Sequence, residues 1–254
     1  MILDTFRLDG KNAIVTGSSR GLGAAIALAL AEAGANVGLH GRSQSGESGC
    51  EAISKLGRKT FFIAGDAADP HVCSALVSTT VRQFGSIDIL VNNAGMIRRA
   101  PAVEYPSTDW DELIATDLTA VFRLSQLAAR HMLQRQTGGK IVNTASLLSF
   151  QGGILVPAYA AAKGGVAALT KALANEWASK GINVNAIAPG YMVTDNTKPL
   201  RNDPQRSRQI MERIPAGRWG QPSDLAGAAV FLCSSASDYV HGHVLLVDGG
   251  WMAR

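Results

Sequence analysis

The sequence contains few cysteines, few aromatic residues and no long apolar run. Its three cysteines are scattered and form neither a CxxC pair nor a disulfide framework, a usage typical of a reducing compartment. No apolar stretch approaches the roughly 18 residues of a membrane span. The first residues, MILDTFRLDGK, lack the charged start and apolar core of a signal peptide. We therefore predict a soluble protein of the cytoplasm without a membrane partner.

Charged residues are also sparse, at 17% of the chain, and the net charge is only +4. The chain has no dense block of lysine and arginine, which argues against nucleic acid as a partner. The five histidines do not cluster. His241 and His243 would share one face of a strand, but two ligands without a third make a weak metal site, so no metal is predicted.

Hydrophobic residues make up 46% of the 254 residues, enough for a sizeable core. Short apolar runs alternate with segments of helical periodicity, a pattern that predicts βαβ units. We expect an α/β fold in one domain over 1–254, a Rossmann-type doubly wound sheet of seven parallel strands with helices on both faces. The runs that predict strands are KNAIVTG (11–17), ANVGLHG (35–41), KTFFIAGD (59–66), SIDILVNNAG (86–95), GKIVNTAS (139–146), INVNAIAPG (182–190) and GHVLLVDGG (242–250).

Helices are predicted over 21–34, 70–84, 107–134, 157–179 and 222–234. The segment 194–221 breaks the alternation, because it is polar, contains three prolines and lies between the last two strands. Long insertions of this kind are often active-site lids, so we predict a substrate lid at about 194–221.

The stretch TGSSRGLG (16–23) follows the first predicted strand and begins the first helix. Gly17 allows a tight turn, while Gly21 and Gly23 let the backbone approach a pyrophosphate and let the helix pack on the sheet. The helix N-terminus offers free N–H groups and the positive end of its dipole to an anion. The glycine spacing is GxxxGxG, which distinguishes this loop from the common dinucleotide-binding fingerprint GxGxxG.

The stretch YAAAK places Tyr159 and Lys163 four residues apart, on one face of a helix. A neighbouring ammonium favours the phenolate form of a tyrosine and so suits it to proton transfer. Because many helices carry this pair by chance, the pentapeptide alone leaves the question open.

Together, TGxxxGxG, NNAG (92–95), the serine of NTASLLSF (143–150), YAAAK (159–163) and APG (188–190) resemble the short-chain dehydrogenase/reductase family, in its order and spacing. The resemblance implies Tyr159 as the acid/base of ketone reduction, with Lys163 as its electrostatic partner. Ser146 would donate a hydrogen bond to the carbonyl oxygen. Members usually form tetramers, which implies a homotetramer here.

One position departs from the family pattern. Relatives usually carry an asparagine in a stretch like NLTAVF, whereas this chain reads TDLTAVF with Asp117. We include Asp117 in the catalytic set. A carboxylate would stabilise the Lys163 ammonium and would partly cancel its effect on Tyr159. The alternatives are a tolerated isosteric replacement and a real change in pH optimum.

The resemblance also implies a nicotinamide cofactor. Relatives that select NAD place an acidic residue after the second strand, where this chain has Gly41 and Arg42. With Arg20 in the glycine loop, two cations and no carboxylate favour NADP(H), with NAD(H) possible. The implied cofactor-binding residues are Gly17, Ser19, Arg20, Gly21, Leu22, Gly23, Arg42, Asp66, Ala67, Asn93, Ala94, Gly95, Tyr159, Lys163, Pro189, Gly190, Met192 and Thr194.

The predicted lid is basic, and Arg98 and Arg99 follow NNAG closely, which suits a substrate with a carboxylate. The stretches NNAGMIRRAP, RIPAGRWGQPSDL and VDGGWMAR resemble the sugar-acid branch of the family, which includes 2-deoxy-D-gluconate 3-dehydrogenases and gluconate 5-dehydrogenases. We therefore predict an anionic sugar acid as substrate. The resemblance favours an oxidoreductase like the 2-deoxy-D-gluconate 3-dehydrogenases. The alternatives are a gluconate 5-dehydrogenase, a 3-oxoacyl-carrier-protein reductase and a catalytically silent nucleotide-binding scaffold. The predicted substrate residues are Ser146, Gln151, Tyr159 and Arg98.

Overall fold

The computed structural model describes all residues from 1 to 254. Its seven strands are β1 Asn12–Val15, β2 Asn36–Gly41, β3 Thr60–Ala64, β4 Ile89–Asn92, β5 Gly139–Thr144, β6 Ile182–Pro189 and β7 Val244–Val247. They form one parallel sheet in the order β3-β2-β1-β4-β5-β6-β7, which confirms the predicted doubly wound architecture.

Helices cover both faces of this sheet, because its strands are apolar on both sides. The helices are α1 Gly21–Glu32, α2 Glu47–Lys55, α3 Pro70–Phe84, α4 Ser107–Ile114, α5 Ala120–Arg135, α6 Pro157–Trp177, α7 Lys198–Asn202, α8 Pro204–Arg213 and α9 Ala226–Cys233. One face packs against α1 and α9 through residues such as Leu30 and Leu232. The other face packs against α3, α5 and α6 through Leu76, Leu124 and Leu173.

Three features differ from the sequence prediction. Helices α7 and α8 lie in the segment 194–221, for which no helix was predicted. The helix expected over 107–134 is divided into α4 and α5 by a π-helical turn at Ala115–Thr119, which turns Thr116 and Asp117 into the protein. Helix α2 was not predicted, because only Ile53 of its nine residues is buried and its stretch ESGCEAISK is rich in polar and small residues. No helix of the structure has both the length and the apolar character needed to cross a membrane.

The strand order reverses at β1, which pairs with β2 on one side and β4 on the other. In doubly wound sheets the loops leaving the carboxyl ends of the strands separate at this reversal and form a crevice. Here those loops are the glycine loop after β1 and the NNAG segment after β4.

Candidate active site at the carboxyl ends of the strands

A cleft of about 550 Å³ lies at this reversal. Most of the predicted site residues line it, from the glycine loop across to Tyr159 and Lys163 on α6. The lining residues that were predicted are Gly17, Ser19, Arg20, Gly21, Leu22, Gly23, Arg42, Asp66, Ala67, Asn93, Ala94, Gly95, Arg98, Asp117, Tyr159, Lys163 and Thr194. Five predicted residues do not line it, namely Ser146, Gln151, Pro189, Gly190 and Met192.

The glycine loop leaves no room for a side chain at Gly17 or Gly23. A Cβ atom at Gly17 would lie 2.9 Å from the Cα of Ala94, and one at Gly23 would lie 2.3 Å from the carbonyl oxygen of Gly17. Asn93 fixes the loop, because its Nδ2 donates to the carbonyl oxygens of Thr16 at 2.9 Å and Gly17 at 3.1 Å. The NNAG segment therefore holds the turn that precedes α1.

The start of α1 stays open toward the cleft. Gly21 has a φ of +58°, and a Cβ atom added there would meet only the methyl group of Thr194, at 3.8 Å. The first N–H groups of a helix have no partner within it, so this glycine cradle fits a pyrophosphate. A dinucleotide is thus compatible with the shape and the donors of the cleft.

His40, which was not predicted as a site residue, supports the same loop from the neighbouring strand β2. Its Nδ1 accepts a hydrogen bond from the backbone N–H of Gly17 at 3.2 Å, and its Nε2 lies 3.1 Å from the carbonyl oxygen of Gly65. The contacts therefore require a neutral ring that carries its proton on Nε2. Burial lowers the pKa of His40, which favours this neutral form.

Tyr159 and Lys163 face the cleft from the first turns of α6. The helix begins with Pro157, whose fixed φ suits the first helical position. The ammonium of Lys163 lies 5.5 Å from the centre of the Tyr159 ring. Its Nζ donates to the carbonyl oxygen of Thr144 at 2.9 Å, at the end of β5. Lys163 is only 3% exposed, so its charge acts on Tyr159 with little screening by water.

Asp117 is fully buried beside Lys163. Its Oδ1 accepts the backbone N–H of Met96 at 2.8 Å, and its Oδ2 lies 3.5 Å from Lys163 Nζ. This separation makes an ion pair rather than a well-formed hydrogen bond, and Oδ2 has no hydrogen-bond partner. Burial raises the pKa of Asp117, an effect that the Lys163 charge partly opposes.

Ser146 lies just beyond β5, where it caps a short turn over 147–149. Its Oγ accepts the backbone N–H of Leu148 at 3.2 Å, so its own hydroxyl proton remains available for donation. Gln151 instead contacts the C-terminal segment, since the indole N–H of Trp251 donates to its Oε1 at 3.4 Å. Met192 lines a separate cavity of about 180 Å³ together with Tyr191.

Three arginines of the cleft mouth are paired with carboxylates. Arg20 lies 2.9 Å from Asp195, at the start of the segment 194–221. Arg42 and Arg98 both reach Glu112 on α4. No group of three or more His, Cys, Asp or Glu side chains is arranged to hold a metal ion.

The chain was compared with known proteins. A family model described as enoyl-(acyl carrier protein) reductase matches residues 17–252. Over 100% of both chains, the protein is 53% identical to 2-dehydro-3-deoxy-D-gluconate 5-dehydrogenase of Escherichia coli strain K12.

Two solved structures extend the comparison. A candidate 2-deoxy-D-gluconate 3-dehydrogenase of Agrobacterium tumefaciens, with bound NADP, is 54% identical with a TM-score of 0.92, and the match covers 98% of this chain and 99% of that one. Gluconate 5-dehydrogenase of Burkholderia cenocepacia, in complex with NADP and tartrate, is 41% identical with a TM-score of 0.95, and the match covers 100% of both chains. With the motifs and the sheet described above, these matches establish that the chain belongs to the short-chain dehydrogenase/reductase family of NAD(P)-dependent oxidoreductases.

Proposed function

We propose that the protein is an NADP(H)-dependent oxidoreductase that interconverts a secondary hydroxyl and a ketone on a sugar acid, in the manner of a 2-deoxy-D-gluconate 3-dehydrogenase. The observation that carries the proposal is the pairing of Tyr159 with the buried Lys163 ammonium, 5.5 Å from the ring centre, in the cleft that also contains the glycine cradle. The sugar-acid substrates named for its relatives supply the substrate class.

In this proposal the phenol of Tyr159 gives its proton to the substrate oxygen during reduction and takes it back during oxidation. The Lys163 ammonium stabilises the phenolate that this transfer leaves. The hydroxyl of Ser146 donates a hydrogen bond to the same oxygen as negative charge develops there. The nicotinamide, when bound, supplies or accepts the hydride.

Residues in and beside the cleft are suited to bind different parts of the cofactor. The glycine loop would hold the pyrophosphate, Asp66 the adenine and Asn93 to Gly95 the adenosine ribose. Lys163 would also hold the nicotinamide ribose, with Pro189, Gly190, Met192 and Thr194 at the nicotinamide end. Arg20 and Arg42 would bind the 2′-phosphate, and the position directly after β2, where relatives that select NAD carry an acidic residue, is occupied by Arg42. NADP named in two similar structures agrees with this preference, and NAD(H) remains the second candidate.

The substrate would enter beneath the segment 194–221, which we propose to act as a lid. Arg98 lines the cleft and is suited to bind the substrate carboxylate. Gln151 is proposed as a reader of substrate hydroxyl groups. Gluconate 5-dehydrogenase activity is the second candidate, because the similar gluconate 5-dehydrogenase of Burkholderia cenocepacia binds NADP, the cofactor proposed here. Reduction of 3-oxoacyl thioesters is the third, and a silent nucleotide-binding scaffold is the alternative from another class.

A substrate panel tests the proposal. Sugar acids, their keto forms and acetoacetyl thioesters are each assayed with NADP(H) and with NAD(H) at the nicotinamide absorbance. We expect turnover of a sugar acid with a higher kcat/KM for the NADP pair. Turnover of thioesters alone would favour the acyl-carrier alternative, and thermal stabilisation by NADPH without any turnover would favour the scaffold.

We also infer a homotetramer in the cytoplasm. Apolar side chains exposed on three elements, Trp110 on α4, Phe122 on α5 and Leu246 on the edge strand β7, support subunit contacts there. Light scattering coupled to size exclusion tests the assembly, with a mass near four times 26.6 kDa expected. A monomeric mass would contradict it.

A further inference from the structure

The side chain of Arg42 crosses the mouth of the cleft from the end of β2. Its Nη2 lies 3.9 Å from the sulfur of Met96, beyond the NNAG segment on the opposite wall. The same nitrogen lies 3.9 Å from Oε1 of Glu112, on α4. Arg42 makes no other ion pair, so Glu112 is its carboxylate partner in the structure.

Glu112 is shared between two guanidinium groups. While Oε1 faces Arg42, Oε2 accepts a hydrogen bond from Nη2 of Arg98 at 3.2 Å. Arg98 has a second carboxylate neighbour, because its Nε lies 3.9 Å from Oδ1 of Asp109. Loss of the Glu112 charge would therefore leave Arg42 without any carboxylate, whereas Arg98 would keep one.

We propose that Glu112 is a specificity-determining residue that lowers the preference for NADP(H) by competing with the 2′-phosphate for Arg42. The inference rests on the proposed function, in which Arg42 binds that phosphate. A phosphate monoester carries close to two negative charges at neutral pH. The Arg42 nitrogen that faces Glu112, Nη2, is one of the donors that a bidentate contact with a phosphate uses, so the 2′-phosphate competes with Glu112 for this group and remains near a like charge.

The same geometry predicts that an adenine nucleotide without the 2′-phosphate is indifferent to Glu112. Such a nucleotide brings no group that needs Arg42 as an ion-pair partner. The competition therefore changes the ratio of two affinities rather than the affinity for nucleotides in general. Because the Arg42 side chain is 57% exposed and that of Glu112 40%, water screens their pairing and the effect should be a few-fold.

The test compares the wild type with the Glu112→Gln variant. The two binding probes, adenosine 2′,5′-bisphosphate and 5′-AMP, differ only in the 2′-phosphate. Their dissociation constants are measured by calorimetry at low ionic strength, without substrate or turnover. We expect the constant for the bisphosphate to fall about threefold in the variant and that for 5′-AMP to stay the same. The gain should shrink at high salt, where exposed charges are screened.

Asp111→Asn is the matched control, because Asp111 lies next to Glu112 on α4, is exposed and makes no ion pair. It removes the same charge from the same helix and should leave the ratio unchanged. A second comparison repeats Glu112→Gln in an Arg42→Ala background, where the threefold gain should vanish if Glu112 acts through Arg42. Glu112→Ala serves as a second variant, and unfolding midpoints check that all variants fold.

The outcomes separate the inference from the proposed function. If the wild type binds the bisphosphate no tighter than 5′-AMP, the preference for NADP(H) is wrong and this inference with it. If the wild type prefers the bisphosphate but Glu112→Gln leaves the ratio unchanged, the preference stands and the role of Glu112 is wrong. An equal gain in Asp111→Asn, or a gain that persists without Arg42, would also overturn it.

Discussion

The carboxylate of Asp117 and the ammonium of Lys163 lie 3.5 Å apart in the interior, with their side chains 0% and 4% exposed. Burying two charges is costly unless they are paired and hydrogen-bonded. Lys163 satisfies this condition through Thr144, but Oδ2 of Asp117 has no hydrogen-bond partner. The site therefore only partly stabilises the carboxylate of Asp117, which lies beside the lysine that faces Tyr159, the predicted proton donor.

The Asp117→Asn variant should alter the pH dependence of stability. Because burial raises the pKa of Asp117 in the folded state, its contribution to stability is fully present below about pH 4. The contribution is lost as pH rises through the folded pKa, since the folded state then binds more protons than the unfolded state. The variant has no titrating group at this position, so its stability does not fall with rising pH for this reason. Urea denaturation from pH 4.5 to 8 should show its free energy of unfolding rising relative to wild type, and parallel curves would contradict the assignment.

The same variant should change the pH dependence of catalysis. An asparagine can keep the hydrogen bond from Met96 through Oδ1, but it presents N–H donors to Lys163 in place of a carboxylate. The ammonium then acts on Tyr159 without an opposing charge. We expect the pH at which kcat of alcohol oxidation is half-maximal to move to a lower value. Asp111→Asn is the control, and an unchanged profile would identify Asp117 as a tolerated replacement.

Tyr159→Phe should remove proton transfer while preserving the cleft. The ring would keep its place near Lys163, so the glycine cradle is unaffected. We expect kcat to fall by about 10²- to 10⁴-fold, with a nearly unchanged dissociation constant for NADPH measured by fluorescence. Substantial residual turnover would show that another group supplies the proton.

Gly23→Ala should damage both stability and nucleotide binding. The new Cβ atom would lie 2.3 Å from the carbonyl oxygen of Gly17 and 2.4 Å from Nδ2 of Asn93, which holds the loop. Overpacking of this kind costs about 1–3 kcal/mol. Gly227→Ala on α9 is the matched control, since nothing lies within 4 Å of its added Cβ atom. Chemical denaturation should show a loss for Gly23→Ala alone, and equal behaviour of the two variants would be the contrary result.

His40→Asn should make stability less sensitive to acid. The folded state lowers the pKa of His40 through burial, so the unfolded chain binds the proton more readily and wild-type stability falls as pH drops below about 6.5. Protonation of Nδ1 would also remove the acceptor that Gly17 uses. Asparagine can accept that hydrogen bond without titrating. Unfolding free energies between pH 5 and 7.5 should decline less steeply in the variant, and identical slopes would refute the argument.

The sequence was most informative where local chemistry determines structure. The apolar runs predicted all seven strands, and the glycine spacing predicted the loop between β1 and α1. The signal for His40 was a polar residue directly after the apolar stretch VGL of β2, but its two backbone partners, Gly17 and Gly65, lie in other loops. The hydrophobic periodicity of a sequence does not indicate a contact between a strand and two separate loops.

Contacts between distant segments could not be predicted from the sequence, for a physical reason. Arg42 and Glu112 are far apart in the chain, and their meeting depends on the crossing of β2 and α4 and on the rotamers of two long side chains. The π-helical turn at Ala115–Thr119 is similar, because the apolar pattern is continuous through it. Roles for Ser146, Gln151 and the lid stay predictions.

The segment that follows β6 starts and ends at one place. The backbone N–H of Val193 donates to the carbonyl oxygen of Gly220 at 2.7 Å, and that of Gly220 donates to Tyr191 at 2.9 Å. The two ends are thus fastened to each other just beyond β6, independently of the residues between them. Such a segment can be exchanged as a cassette, because a substitute of another length adds little closure entropy. If this segment is the substrate lid, we expect that grafting the stretch of a relative that corresponds to residues 197–219, which leaves Thr194 and Asp195 at the cleft in place, would alter the substrate range without disturbing the glycine cradle.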